Sequence, residues 1–186
     1  MRVGSKANGQ DVVAEIRERQ RLRESPRTLQ GRRVVVGEMG GLGALADSAK
    51  RTLSRAGAIV TTLHDPDGSV QASQANALDG EVYIGLGLDP DRAGCLTAYF
   101  LGYNGVSSEG GRRLAEALQV ALPTMLEIPD HGTQGMRLPV LRETRMPAVL
   151  LEVGPSAVVV ERAADLATAI GQALGQWVSA PCDDQE

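Results

Sequence analysis

Residues 31–63 read GRRVVVGEMGGLGALADSAKRTLSRAGAIVTTL. The run Arg33-Val34-Val35-Val36 is short, β-branched and followed by a glycine cluster, as suits a parallel strand buried on both faces. From Leu42 to Ala56 the apolar residues Leu42, Leu45, Ala46, Ala49, Leu53 and Ala56 recur at helical spacing. Gly57 then supplies the C′ position at which such a helix stops, and Ala58 to Leu63 reads as the next strand.

The alternation continues outward from this unit. His64-Asp65-Pro66-Asp67-Gly68 is an acidic turn, Ser69 to Leu78 a helix of small residues, Val82 to Leu86 a third strand and Leu96 to Leu101 a fourth. Ser107 or Ser108 can cap a helix running to Leu122, with Leu114, Leu118 and Ala121 on one face. The glycines and proline between Pro129 and Gly135 mark a loop. Ala148 to Val153 is another buried strand, and the last helix carries Leu166, Ile170 and Leu174, with Trp177 one turn on. The fold class expected is α/β: a mainly parallel, twisted sheet with helices on both faces. Upstream, QDVVAEIRERQRLRE offers only Val12, Val13, Ile16 and Leu22 for burial before the Ser25-Pro26 break. Residues 1–30 therefore read as a charged helical arm or linker, 31–178 as the domain and 179–186 as a flexible tail.

Composition narrows the function. A net charge of −4 gives no basic face for the phosphates of nucleic acid, so no nucleic-acid partner is expected. Aromatics are confined to Tyr83, Tyr99, Phe100, Tyr103 and Trp177, which leaves the core to Val, Leu, Ile and Ala. Cys95 and Cys182 lie far apart in sequence and do not suggest a disulfide framework. The leading MRVGSKANGQDVV lacks the apolar core of a signal peptide and no run is long enough to span a bilayer, so a cytoplasmic location is expected.

The loop VVVGEMGGLG imitates a cofactor site. Gly37, Gly41 and Gly43 are spaced as G-x-x-x-G-x-G between a strand and a helix, as in loops that bring backbone close to a pyrophosphate. Asp65 lies at a separation suited to a ribose hydroxyl. One alternative is thus a nucleotide-binding, Rossmann-like oxidoreductase. Against it, none of Tyr83, Tyr99 and Tyr103 has a lysine four residues on, so the proton-transfer pair of such enzymes is missing.

Residues Leu138 to Gly154 read LPVLRETRMPAVLLEVG. The stretch resembles the V-L-R-x-T-x-M-P-A-V-L-V-E-x-G signature of the zinc-dependent N-acetylmuramoyl-L-alanine amidases of the amidase-3 type. Gln74-Ala75-Asn76 falls where that family has an A-N pair, and SSEGGRRLAEAL, from Ser107 to Leu118, is similar to its S-x-x-S-x-x-L-A helix. The likeness spans about Gly31 to Val178, and the segment before it resembles the linker of CwlM-type, degenerate members. The resemblance implies an amidase-3-like fold. It also implies a zinc hydrolase of the bond between muramic acid and the L-alanine of the stem peptide. Such chemistry needs three protein ligands on the metal, an open position for water and a carboxylate as general base.

The chain departs from that pattern at the metal. Met39 stands at the place of the family's first histidine ligand and Gly87 at that of the second histidine, and no glutamate lies between Glu38 and Glu81 to serve as the remaining ligand. A thioether is a poor zinc donor in such a set. His64 and His131 fall at no ligand position, and their spacing from Glu38 and Asp65 suggests no replacement site. Glu152 matches the active-site glutamate and is a vestigial catalytic residue, or it simply pairs with Arg142 or Arg145. Asn76, Arg142 and Arg145 are candidate contacts for an anionic ligand. Zinc, expected for the family, is not expected here, nor is another cofactor. The function expected is a catalytically degenerate amidase-like domain that serves as a regulator or binding module in peptidoglycan (cell wall) biosynthesis. Its partner would be a cytoplasmic peptidoglycan-precursor enzyme or a muropeptide-like ligand; CwlM-type proteins activate the enolpyruvyl transferase of the first committed precursor step. The remaining alternative is an active amidase that recruits ligands from elsewhere in the chain.

Overall fold

The computed structural model describes residues 9–103 and 105–180, with side chains described from residue 13 onward. The Val12 side chain, Cys182 and all of the expected tail beyond residue 180 lie outside what is described. The elements follow in the order α1 (Gly9–Glu24), β1 (Arg33–Glu38), α2 (Gly43–Arg55), β2 (Ile59–His64), α3 (Gly68–Ala77), β3 (Val82–Leu88) and β4 (Gly94–Phe100). They continue with α4 (Glu109–Leu126), β5 (Asp130–Met136), α5 (Pro139–Glu143), β6 (Ala148–Gly154), α6 (Ser156–Glu161) and α7 (Ala163–Ser179). No helix among the described residues is long and apolar enough to cross a membrane.

The six strands form one sheet in the order β2-β1-β3-β6-β4-β5. β2, β1, β3 and β6 run parallel, β4 runs antiparallel to β6, and β5 is parallel to β4. The sheet is thus mainly parallel, with a reversed pair at one side. Alternating side chains serve two cores, as strand geometry requires. Val34, Val36, Ile84, Leu86, Leu151 and Val153 pack with α2, α4 and α7, while Val35, Tyr83, Ala148 and Leu150 pack on the opposite face against Ala75 of α3 and Val140 and Leu141 of α5. Trp177 enters the first core with its polar end satisfied: the indole N–H donates to the Gly110 carbonyl at 2.9 Å.

One expectation is corrected. The stretch from Pro129 to Gly135 is mostly strand rather than loop. β5 is an edge strand, paired on one side with β4 and largely exposed, so its DHGTQGM sequence needs no apolar alternation. Its glycines imitate a loop signal because the ladder asks only for backbone groups. The helix α1, in the charged segment before the domain, buries little. Val13 and Ile16 are exposed, and only Leu22 packs against the core. Polar contacts hold it instead: the Glu18 carboxylate accepts from Ser108 Oγ at 2.9 Å and from the Gly110 N–H at 2.8 Å, at the start of α4. The short helices α5 and α6, five and six residues long, had no periodicity by which to be read.

Candidate functional site

In a mostly parallel sheet the strand ends that carry chemistry are the carboxyl ends. Here β1, β3 and β6 finish side by side, bringing together Met39, Gly87 and Glu152. The Met39 N–H donates to the Leu86 carbonyl at 3.2 Å, which carries the β1–β3 ladder one step past Glu38. Gly87 stands directly opposite Glu152 in the β3–β6 register. A Cβ placed on Gly87 would lie 3.4 Å from Glu152 Cγ and 3.7 Å from Leu150 Cδ1, so both positions look out on the same face of the sheet. Met39 packs against the core of that face.

Glu152 is half-buried, and its carboxylate makes no hydrogen bond or ion pair with any described residue. The expected pairing with Arg142 or Arg145 is absent. Both arginines precede the first residue of β6, whereas Glu152 lies near its last, and strand rise of about 3.3 Å per residue keeps the groups apart. Arg142 pairs with its neighbour Glu143. Asn76 belongs to the same distant edge: its amide donates to the Glu143 carbonyl and its side-chain oxygen accepts from the Arg145 N–H, both at 2.8 Å. It clamps the turn between α5 and β6.

The role not anticipated from sequence is that of Glu38 in the turn after β1. Its Oε2 accepts the N–H groups of Gly40 and Leu42, each at 3.0 Å, and its Oε1 lies 3.3 Å from His64 Nδ1. Burial works to raise its pKa, but the two backbone bonds and His64 outweigh it and hold the carboxyl below its ordinary value. The signal was an acid two and four residues ahead of the amides of a strand-to-helix turn. This carboxylate takes up the Gly40 and Leu42 amides of the glycine loop, so two of the donors such a loop would offer a pyrophosphate are engaged by its own strand end. Asp65 is likewise engaged locally, accepting from the Asp67 N–H at 2.8 Å. His64 and Glu38 do meet, but His131 is elsewhere, with Nε2 2.9 Å from the Ala93 carbonyl on the β5 side.

Among the described residues no three His, Cys, Asp or Glu side chains gather in a way that could hold a metal ion. On the face shared by Met39, Gly87 and Glu152 the strand ends offer one thioether, no side chain at Gly87 and one carboxylate. That donor set does not fit zinc, which takes three nitrogen, thiolate or carboxylate ligands in a hydrolytic site.

The sheet order, the reversed β4–β5 pair and the helical layers define an amidase-3-like α/β fold. Solved structures similar to this chain include N-acetylmuramoyl-L-alanine amidase AmiC2 of Nostoc punctiforme, at 19% identity and a TM-score of 0.64, with 81% of this chain and 99% of that one covered. The N-acetylmuramoyl-L-alanine amidase from Clostridium difficile 630 is similar at 18% identity and a TM-score of 0.62, over 78% and 96% of the two chains. The catalytic domain of CwlV, an N-acetylmuramoyl-L-alanine amidase from Bacillus (Paenibacillus) polymyxa var. colistinus, follows at 18% identity and 0.61, over 78% and 97%. No protein-family model and no curated protein matches the sequence.

Proposed function

We propose that this chain is a catalytically degenerate N-acetylmuramoyl-L-alanine amidase-like domain, a pseudoenzyme acting as a cytoplasmic regulator or binding module in peptidoglycan biosynthesis. The observation that carries the reading is the pairing of Gly87 with Glu152. The strand ends of an amidase scaffold are retained, Glu152 stands at one of them, and the positions beside it are a glycine and a methionine. Met39 and Gly87 are the degenerate ligand positions, and Glu152 is the vestige of a general base.

The chemistry of what is present supports this. Amide hydrolysis needs an activated water and something to stabilise the oxyanion that develops on the carbonyl. Glu152 alone supplies a proton acceptor. Neither Met39 nor Gly87 brings a side chain that polarises a carbonyl. The partner proposed is a peptidoglycan-precursor enzyme or a muropeptide-like ligand, in keeping with the wall chemistry named for the similar structures.

Metal analysis of the purified protein, paired with digestion of a muramyl-L-alanine peptide, tests the reading. The expected result is no stoichiometric zinc and no amide cleavage beyond that of Glu152→Gln. Stoichiometric zinc with cleavage lost in Glu152→Gln would restore the active-amidase reading.

A further inference from the structure

At the opposite edge of the sheet, where β6 begins and β4 ends, a groove of about 450 Å³ opens between α1 and the body of the domain. One wall is α1; the other is built from the segment after β4 and from α5 with the turn that follows it. Five arginines line it: Arg17, Arg21, Arg137, Arg142 and Arg145. In a chain of net charge −4 such a concentration of guanidinium groups calls for a counter-charge.

The groove provides it only in part. Its carboxylates are each committed: Glu15 pairs with Arg19 at 2.7 Å, Glu143 pairs with Arg142, and Glu18 accepts from Ser108 and Gly110. Arg17, Arg137 and Arg145 have no carboxylate partner among the described residues, and Arg21 donates one Nη1 hydrogen bond to the Arg145 carbonyl at 3.1 Å. Arg137 is the most constrained. Its guanidinium lies over the Tyr103 ring, 3.9 Å from the centroid, and its buried Nε has no hydrogen-bond acceptor. Arg17, Arg21, Arg142 and Arg145 are exposed and their guanidinium groups are free to turn toward a ligand in the groove, while stacking on Tyr103 fixes Arg137. One multivalent oxyanion can take charge-assisted hydrogen bonds from several of them at once. Phosphate suits the arrangement, since its several acceptor oxygens can meet guanidinium groups arriving from different directions. The volume is that of a small-molecule site.

We propose that this groove binds a phosphorylated small molecule, with Arg137 and Arg145 holding the phosphate from the domain and Arg17 from α1. Because α1 contributes to the site, the ligand also ties α1 to the domain. The inference does not rest on the loss of amidase chemistry, as the groove and Glu152 lie at opposite ends of β6.

Calorimetric titration of the full chain with inorganic pyrophosphate at low ionic strength tests it. Saturable binding at one site is expected, weakened about tenfold by Arg137→Gln or by Arg145→Gln and declining with added salt. Arg55→Gln, on α2, should leave affinity within about twofold. Pyrophosphate should also slow tryptic cleavage at the arginines of α1. Arg145 is exposed and its backbone bond to Asn76 survives the substitution, so Arg145→Gln decides the matter even if Arg137→Gln fails to fold. Absence of saturable binding, unchanged affinity in Arg145→Gln, or citrate binding as tightly as pyrophosphate would each overturn the assignment.

Discussion

Gly87 and Glu152 face each other across the β3–β6 ladder with room between them for a side chain: a Cβ on Gly87 would make contacts of 3.4 to 3.8 Å and no closer. The glycine is therefore not imposed by crowding, and its φ is not among the positive values that favour glycine. Gly87→His should fold like the parent. Combined with Met39→His it places two imidazoles beside the Glu152 carboxylate, a set that zinc accepts. The double variant is expected to gain a zinc-dependent rise in thermal stability, about 2.7 kcal/mol at a hundredfold excess of metal over Kd, while the parent shows none. A double variant that folds but ignores zinc would mean that these strand ends no longer hold the spacing of a metal site.

Glu38 gives a prediction with a pH sign. Its carboxylate closes the turn after β1 by accepting from Gly40 and Leu42, and its pKa is held below the ordinary 4.5. The stabilisation is present above pH 4.5, where the unfolded chain is also ionised, and is lost as pH falls through the lower folded value. Glu38→Ala should cost roughly 2 kcal/mol at neutral pH. Urea melts of parent and variant should converge as the pH is taken below that range. A gap that stays constant into acid would show that the turn does not depend on the ionised carboxylate.

The buried network beneath that turn makes a separate case. Tyr83 Oη donates to Gln71 Oε1 at 2.6 Å, and Gln71 Nε2 donates to the carbonyls of Glu38 and Asp65. Burial pushes the Tyr83 phenol up, so it remains a donor. Tyr83→Phe leaves Gln71 Oε1 without a donor in a site from which water is excluded, a loss of about 1–3 kcal/mol in a chemical melt. Gly37→Ala should cost more, because its Cβ would collide with Gln71 Oε1 and the Tyr83 hydroxyl. If Tyr83→Phe were neutral, water would have to reach Gln71.

How far the sequence shows all this depends on what each residue does. The central strands are legible because VVV of β1 and AVLLEV of β6 are buried on both faces and must be apolar throughout. β5 is not, because an edge strand can use any residue with a backbone N–H and carbonyl. The closeness of Met39, Gly87 and Glu152 has no local signature; three distant strand ends become neighbours only through the strand order, and only the family resemblance pointed there. Sequence places Glu38 only beside His64, His131 and Asp65 as a candidate metal ligand, and its role in the turn is not legible because a carboxylate turning back on its own backbone leaves hydrophobic periodicity unchanged. Arg142 and Arg145 were read as partners of Glu152 because they are near it in sequence, whereas the intervening strand sets them at the opposite edge.

Glu18 decides whether α1 belongs to the domain or only precedes it. Burial raises its pKa above 4.5 despite the bonds from Gly110 and Ser108, and the nearby charges of Glu109 and Glu15 act in the same direction. In the docked helix the protonated form is therefore favoured relative to the undocked chain. Docking gains most below pH 4.5 and loses that gain as pH rises through the raised value, so α1 should be held more loosely at neutral pH than at pH 5. Glu18→Gln keeps an acceptor for the Gly110 N–H and removes the buried charge; it should match or exceed the parent at neutral pH and flatten the pH dependence. Glu18→Ala leaves the Gly110 N–H and the Ser108 hydroxyl without their acceptor and should weaken docking by about 1–2 kcal/mol. Hydrogen exchange of the α1 amides across this pH range reads all three proteins. Protection in α1 that is equal in Glu18→Ala and the parent would remove Glu18 from any role in holding the helix.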